Sequence, residues 1–392
     1  MLLHPSAMVG LVVEMREKGM GLPELVEELL KYHRMDEHFS KGRILGSMCT
    51  EPHPVARAAH MLFIEANLGN PRLYRGTASM EKEVIGDLGR LMGLDEPAGY
   101  ILSGGTEANI TALYLAKKKT GGRYVVYPKS AHFSIQKAIK LLDLKPLPVE
   151  LTEEYVMDVD HLRKRLEEVS PGRLAAAVAV AGSTELGTVD PVDEISSALP
   201  PGVPLHVDAA FGGFVLPFLP FRGKYNFEVD GVTSMTVDPH KMGLSTIPSG
   251  ALLLRGFEDF KRIAVSSPYL TEPFAYTLAG TRASAAVAAT WAVMNHLGRE
   301  GYGRVVEECM ENTRFLDRGM TELGFPHIIE PVINVLASGT ADPEGLQRRL
   351  EDAGWYVSKV CKPPALRFVL MPHVKRRHLE EFLKDFEALI QT

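Results

Sequence analysis

From residue 99 onward, short apolar runs alternate with segments whose apolar residues recur every three or four positions. The runs at 99–102, 123–127, 175–181, 205–209, 232–237 and 251–254 predict buried strands. Between them, the spacing predicts helices over 106–118 and 159–168, the second opened by Asp158 as an N-cap. Strands separated by helices imply an α/β fold built of βαβ units, with a mostly parallel sheet covered on both faces. Ligands of such sheets bind beyond the carboxyl ends of the strands, where helix N-termini present free N–H groups. Chemistry is therefore expected just after these strands.

Past residue 283 the pattern changes. A small-residue helix at 283–296 leads to a charged helix at 303–319, a strand near 333–336, a helix at 343–352, a strand at 366–371 and a last helix from Lys375. Together they read as a compact α+β unit of about 100 residues. Upstream, 11–18 and 22–33 predict helices that pack on the rest of the chain or on a second subunit. The expected division is an N-terminal helical segment at 1–48, a large domain at 49–285 and a small C-terminal domain at 286–392.

Composition narrows the function classes. The 392 residues carry 43 basic and 49 acidic side chains, a net charge of −6. A run such as Lys117-Lys118-Lys119 is no footprint for nucleic acid. The most uniformly apolar stretch, 174–182, is far short of the roughly 20 residues a membrane helix needs. Met1-Leu2-Leu3-His4-Pro5 lacks the basic start of a signal peptide. Cys49, Cys309 and Cys361 lie far apart without metal-binding spacing, which suggests reduced thiols in the cytoplasm. His33, Asp36, Glu37 and His38 are read as a polar helix face rather than a metal site, and no metal is expected.

Four short motifs carry chemistry. Ser103-Gly104-Gly105-Thr106-Glu107-Ala108-Asn109 follows a strand and opens a helix. Its glycines let a backbone approach an anion, although a plain tight turn would use them equally well. In His206-Val207-Asp208-Ala209-Ala210, residues 206, 208 and 210 share one face of a strand. A carboxylate there needs a partner: an arginine, a helix N-terminus, or the protonated nitrogen of a flat cofactor for which Ala210 leaves room. Lys241, in Asp238-Pro239-His240-Lys241-Met242-Gly243, stands where an amine either reaches a strand-end pocket or remains a solvated loop lysine. His132 follows the strand at 123–127 and either stacks on a ring or caps the next helix. A phosphate turn, a histidine, a strand aspartate and a strand-end lysine, in that order, are the parts a pyridoxal 5'-phosphate site requires.

With these residues in place, the chain resembles the group II pyridoxal-phosphate-dependent decarboxylases, and within them the archaeal L-tyrosine/L-aspartate decarboxylase branch that serves methanofuran or coenzyme A biosynthesis. The resemblance runs from Gly46-Ser47-Met48-Cys49 to Met371-Pro372-His373. It takes in Asn67-Leu68-Gly69-Asn70-Pro71, the four motifs, Glu185-Leu186-Gly187-Thr188, Gly280-Thr281-Arg282 and Leu366-Arg367-Phe368. It implies fold type I, the aspartate-aminotransferase fold, with a seven-stranded, mostly parallel sheet in a large cofactor-binding domain and a small α+β domain. It also implies Lys241 as the lysine that carries the cofactor aldehyde, Asp208 as partner of the pyridine nitrogen, and His132 stacked on the ring with Ala210 on its other face. Gly105, Thr106, His240 and Thr236 would meet the phosphate, and Thr184 the ring hydroxyl region.

Arg367 lies in an apolar strand, where a charge must find an anion. The choices are a structural pair with a glutamate or a clamp on the substrate carboxylate, and the resemblance favours the clamp. Animal relatives carry a proton-donating tyrosine on a long loop. Here the stretch 265–282 is short, with Tyr269 and Tyr276 as candidates, and His132 or Lys241 would serve if neither does. A homodimer with its site at the interface is expected, with residues 70–74 and this loop nearby. The implied reaction is α-decarboxylation, of L-tyrosine to tyramine or of L-aspartate to β-alanine, with Arg72 or Arg75 as the second cation an aspartate needs. L-Glutamate decarboxylation and a carbon–carbon lyase of the sphingosine-phosphate-lyase kind are the alternatives. A nicotinamide oxidoreductase is disfavoured because no Gly-x-Gly-x-x-Gly occurs.

Overall fold

A computed structural model describes residues 15–270, 272–282 and 284–391, which fall into two compact units divided between His38 and Phe39. The first unit holds α1 (Leu22–His33), begun by Pro23 in its first turn; none of its residues is buried. Of the helix expected at 11–18, residues 15–18 are not helical, and the rest lies outside the described residues. The His38 ring stacks on His33 at 4.3 Å, and its Nε2 lies 2.9 Å from the His33 carbonyl oxygen. Among the described residues no group of three or more His, Cys, Asp or Glu is placed to hold a metal.

The second unit opens with α2 (Pro54–Leu62) and α3 (Arg75–Leu91). Then β1 (Ala98–Leu102), α4 (Gly105–Thr120), β2 (Tyr124–Pro128), α5 (Phe133–Leu141), β3 (Lys145–Val149) and α6 (Val159–Glu167) follow in turn. After them come β4 (Leu174–Val180), α7 (Val192–Ala198), β5 (Leu205–Asp208), β6 (Val232–Val237) and β7 (Gly250–Leu254). The seven strands form one sheet in the order β1-β7-β6-β5-β4-β2-β3. Only β7 runs against its neighbours, antiparallel to both β6 and β1.

Every residue of β4 is buried, as a central strand covered by helices on both faces must be. In this sheet the strand that periodicity missed is β3. Its Pro146 and Pro148 remove backbone donors, and it lies at the sheet edge, where one side of the backbone needs no partner. The register puts Asp208 level with Val180 on β4 and Thr236 on β6, at the carboxyl ends of three central strands.

Past β7 a hairpin of β8 (Val265–Ser266) and β9 (Phe274–Ala275) precedes α8 (Ser284–Glu322). The two helices expected at 283–296 and 303–319 are the halves of α8, broken at Gly298, whose φ of 57° and ψ of −173° are not helical. Then come β10 (Val335–Gly339), α9 (Pro343–Asp352), β11 (Ser358–Cys361), β12 (Pro364–Val369) and α10 (Arg376–Ile390). The three strands form an antiparallel sheet, β10-β12-β11, over an apolar cluster of its own around Trp355, Phe368, Phe382 and Phe386. Among the described residues no helix is long and apolar enough to cross a membrane.

Candidate active site

Leu102 ends β1, and the chain must turn sharply into α4. Gly104 makes that turn with a φ of 147°, a conformation that a side chain disfavours. Glu107 closes it: one carboxylate oxygen accepts from the Ser103 N–H (2.8 Å) and hydroxyl (2.7 Å). The N–H groups of Gly105 and Thr106 belong to the first helical turn and have no acceptor within the helix. They border a cavity of about 300 Å³ at the carboxyl ends of the strands. A Cβ on Gly105 would stand 2.8 Å from Asp238 Oδ2, so the backbone alone forms this wall.

Eight of the residues expected at the site line this cavity: Gly105, Thr106, His132, Thr184, Asp208, Ala210, His240 and Lys241. Asp208 is buried. Its Oδ1 accepts from the Ala210 N–H (3.1 Å) and its Oδ2 from the Asn109 amide (2.8 Å). Neither donor is charged. Lys241 extends its amine to 3.3 Å from Asp238 Oδ2, and His240 Nε2 lies 3.8 Å from the same oxygen. Asp238 is buried, and its Oδ1 has no hydrogen-bond partner. His132 both caps a helix and lines the site. Its Nδ1 accepts from the Ser134 N–H that opens α5 (3.3 Å) and lies 2.9 Å from the Ser134 hydroxyl. Burial pulls its pKa below the usual imidazole value, against the pull of Asp208. His206 lies wholly buried on β5 behind Asp208, and burial pushes its pKa down to about 4.

Six expected candidates stand elsewhere. Thr236 is buried outside the cavity lining and donates to Asn109 Oδ1 (2.7 Å). Tyr269, in the turn of the β8–β9 hairpin, is 86% exposed. Tyr276 packs edge-on against Phe257 at 5.0 Å. Arg367, on β12, stands one layer behind the wall. It donates to the carbonyls of Thr184 and Gly46 and to Ser358 Oγ, while its buried Nε has no partner. Glu185 is near enough to oppose the effect of burial on the guanidinium, but the two form no ion pair within 4.0 Å. Arg72 pairs with Glu272 at 2.9 Å, and Arg75 Nε donates to the Arg72 carbonyl (3.3 Å).

Sequence reasoning assigned no role to Asp238, Glu107 or Asn109. The available signal was polarity on an apolar helix face, since buried Asn109 sits between buried Ala108 and Ala112 on α4.

These residues fit pyridoxal phosphate. The free N–H groups of α4 suit a phosphate, and Asp208 faces the cavity without a cationic partner of its own. Small Ala210 and His132 leave room for a flat ring, and the Lys241 amine is at hand. Fold and site together define a pyridoxal-phosphate-dependent enzyme of fold type I. Residues 72–336 match the family described as "Pyridoxal-dependent decarboxylase conserved domain". The "Probable L-tyrosine/L-aspartate decarboxylase" of Methanothermobacter thermautotrophicus is 46% identical over 360 residues, covering 90% of this chain and 98% of that protein. The "Probable L-aspartate decarboxylase" of Archaeoglobus fulgidus is 42% identical, covering 94% of this chain and all of that one. In fold, a sphingosine-1-phosphate lyase from Burkholderia pseudomallei is similar, with a TM-score of 0.88 at 24% identity over 99% of this chain and 95% of that one. A glutamate decarboxylase from Lactobacillus brevis is similar too, with a TM-score of 0.85 at 21% identity over 99% and 96%. The chain belongs to the pyridoxal-dependent decarboxylase family and is a pyridoxal-phosphate-dependent amino acid decarboxylase.

Proposed function

We propose that the enzyme removes the α-carboxylate of L-tyrosine or L-aspartate, releasing carbon dioxide with tyramine or β-alanine. The observation that carries the reading is the meeting of the Lys241 amine, the Asp208 carboxylate and the free N–H groups of α4 in one cavity. The substrate choice is supported by the names of the relatives at 46% and 42% identity.

Pyridoxal phosphate, when bound, supplies the electron sink for the pair left at Cα as carbon dioxide departs. Lys241 would provide the amine that holds the cofactor through its aldehyde. Asp208, held by the Ala210 N–H and the Asn109 amide, keeps a proton on the ring nitrogen by favouring its charged form. Gly105, Thr106 and His240 would hold the phosphate, His132 and Ala210 the ring, and Thr184 its hydroxyl side. Thr236 acts through Asn109 rather than by contact. Arg367, which lies outside the lining but reaches the carbonyl of cavity-lining Thr184, is assigned to a substrate carboxylate entering beside it, supported by its unpartnered Nε and by the lack of a paired carboxylate. Tyr269 is exposed and is not part of the lining of its own cavity. We assign it instead to the neighbouring subunit's site in a homodimer, where this hairpin would hold the proton for Cα. A cytoplasmic setting agrees with three free cysteines, and a place in methanofuran or coenzyme A biosynthesis rests on the family resemblance of the motifs.

The test is a decarboxylation assay on L-tyrosine, L-aspartate and L-glutamate with the cofactor supplied, reading carbon dioxide and amine. Carbon dioxide with tyramine or β-alanine is expected; an aldehyde without carbon dioxide would mark a carbon–carbon lyase instead. Lys241→Ala should abolish turnover and the visible absorption of bound cofactor together. Turnover surviving in that variant would sink the assignment.

A further inference from the structure

Asn109 sits one turn into α4 and is buried, and all four hydrogen-bonding positions of its amide are used. Its Nδ2 donates to Asp208 Oδ2 and to Ser134 Oγ, both at 2.8 Å. Its Oδ1 accepts from Thr236 Oγ1 (2.7 Å) and faces His206 Nε2 (2.9 Å). The four partners come from three elements: β5 supplies two, β6 one and α5 one. Only one orientation satisfies them. Asp208 offers acceptors alone, so the amide nitrogen must face it and the oxygen must face His206. His206 then carries its proton on Nε2, and its Nδ1 accepts from the Ser234 hydroxyl (2.8 Å). On the other arm, Ser134 accepts from Asn109 and passes its own proton to His132 Nδ1 (2.9 Å). The Ser134 N–H also points at that Nδ1, so neutral His132 holds its proton on Nε2.

We propose that Asn109 is a positioning residue that sets, through one amide, the orientation of Asp208 and the proton position of His132, and ties both to the phosphate-binding turn of its own helix. This rests on the assignment above of Asp208 and His132 to the cofactor ring. Gly105 and Thr106 lie four and three residues before Asn109 on the same helix. Phosphate, ring nitrogen and ring face are therefore referred to one rigid element.

The test compares Asn109→Ala, Asn109→Asp, Asp208→Asn and the wild type. The readouts are kcat and KM across pH, the visible spectrum of bound cofactor, and cofactor affinity by titration of the cofactor-free protein. Loss of a donor to a charged group should lower kcat about 10- to 100-fold in Asn109→Ala and weaken cofactor binding, with KM within about threefold of wild type. Asn109→Asp places a second carboxylate against Asp208, where both cannot remain ionised. Once protonated, the new acid regains one O–H donor, so its kcat relative to wild type should recover as pH falls, whereas the Ala deficit stays level. A merely structural role would give both variants the same deficit at every pH.

Wild-type-like kcat, spectrum and affinity in Asn109→Ala, or matching pH profiles for the two variants, would overturn the proposal. If Asp208→Asn also leaves spectrum and turnover unchanged, the assignment of the site itself fails. If Asp208→Asn is impaired while Asn109→Ala is not, only the role of Asn109 fails. Where the Asn109 variants do not fold, Thr236→Val and Ser134→Ala each release one atom of the same amide. They should lower kcat at unchanged KM, and wild-type kcat in both would overturn the proposal.

Discussion

His206 is the clearest case of a residue whose charge the fold forbids. Buried on β5, it is held neutral, with its pKa pushed down to about 4 by burial, although Asp208 opposes the shift. An unfolded histidine titrates near 6.5, so between these values the unfolded chain binds more protons than the folded one. The stabilising contribution is therefore complete above about pH 6.5 and is lost as pH falls toward 4, on the order of 3 kcal/mol in all. Urea midpoints at pH 7, 5 and 4 for the wild type and His206→Asn should show a shallower acid loss in the variant. Equal acid slopes would refute it. The other histidines with lowered pKa values, such as His132 and His373, act in the same direction in both proteins and drop out of the comparison. Asp208 and Lys241 were legible as chemistry because a charge at the end of an apolar run is costly to leave unpaired. Asn109 was not. Its meaning lies in residues 134, 206, 208 and 236, which only the folded chain brings to it.

Elements were legible where their signals are local. Asp158 was read as a cap, and its carboxylate accepts from the N–H groups of Asp160 (2.9 Å) and His161 (3.0 Å). Because α6 contributes nothing to the cavity lining, Asp158→Ala should cost about 1 kcal/mol of stability and leave kcat unchanged. Thermal melting beside a turnover assay checks both halves of that statement. The strand β6 matched its expected limits because Val232–Val237 is an unbroken, mostly buried run. The strand β3 was illegible for the opposite reason. Its prolines contradict any local rule for strands, and it is a strand because an edge position on β2 tolerates them. The span α8 is two helices meeting at Gly298, as the sequence predicts, because the φ of 57° and ψ of −173° there interrupt the helical ladder.

At the scale of the whole molecule, the prediction concerns the partner. If the Tyr269 hairpin serves the other subunit's cavity, Lys241→Ala and Tyr269→Phe should each be impaired alone and should complement when mixed. Random exchange gives half the dimers as mixed pairs with one intact site each, so about a quarter of the sites recover. Sedimentation should show a dimer throughout. Mixing without recovery would place the proton donor within one subunit, and full activity of Tyr269→Phe would remove that tyrosine from the chemistry.

Local pattern and motif order determined a great deal by themselves: the alternating α/β architecture, six of the seven strands of the main sheet, and the residues that meet at the cavity. Those properties follow from periodicity, from turn chemistry and from the cost of burying a charge, all of which act over a few residues. Tertiary structure alone decided what each charged group faces. It put Asp238 under the Lys241 amine, set Arg367 behind the wall rather than in it, and left Tyr269 in the open. It also brought β5, β6 and α5 onto Asn109 of α4. Such contacts join residues tens to hundreds of positions apart, and no pattern within a single stretch of chain records which of them will be neighbours.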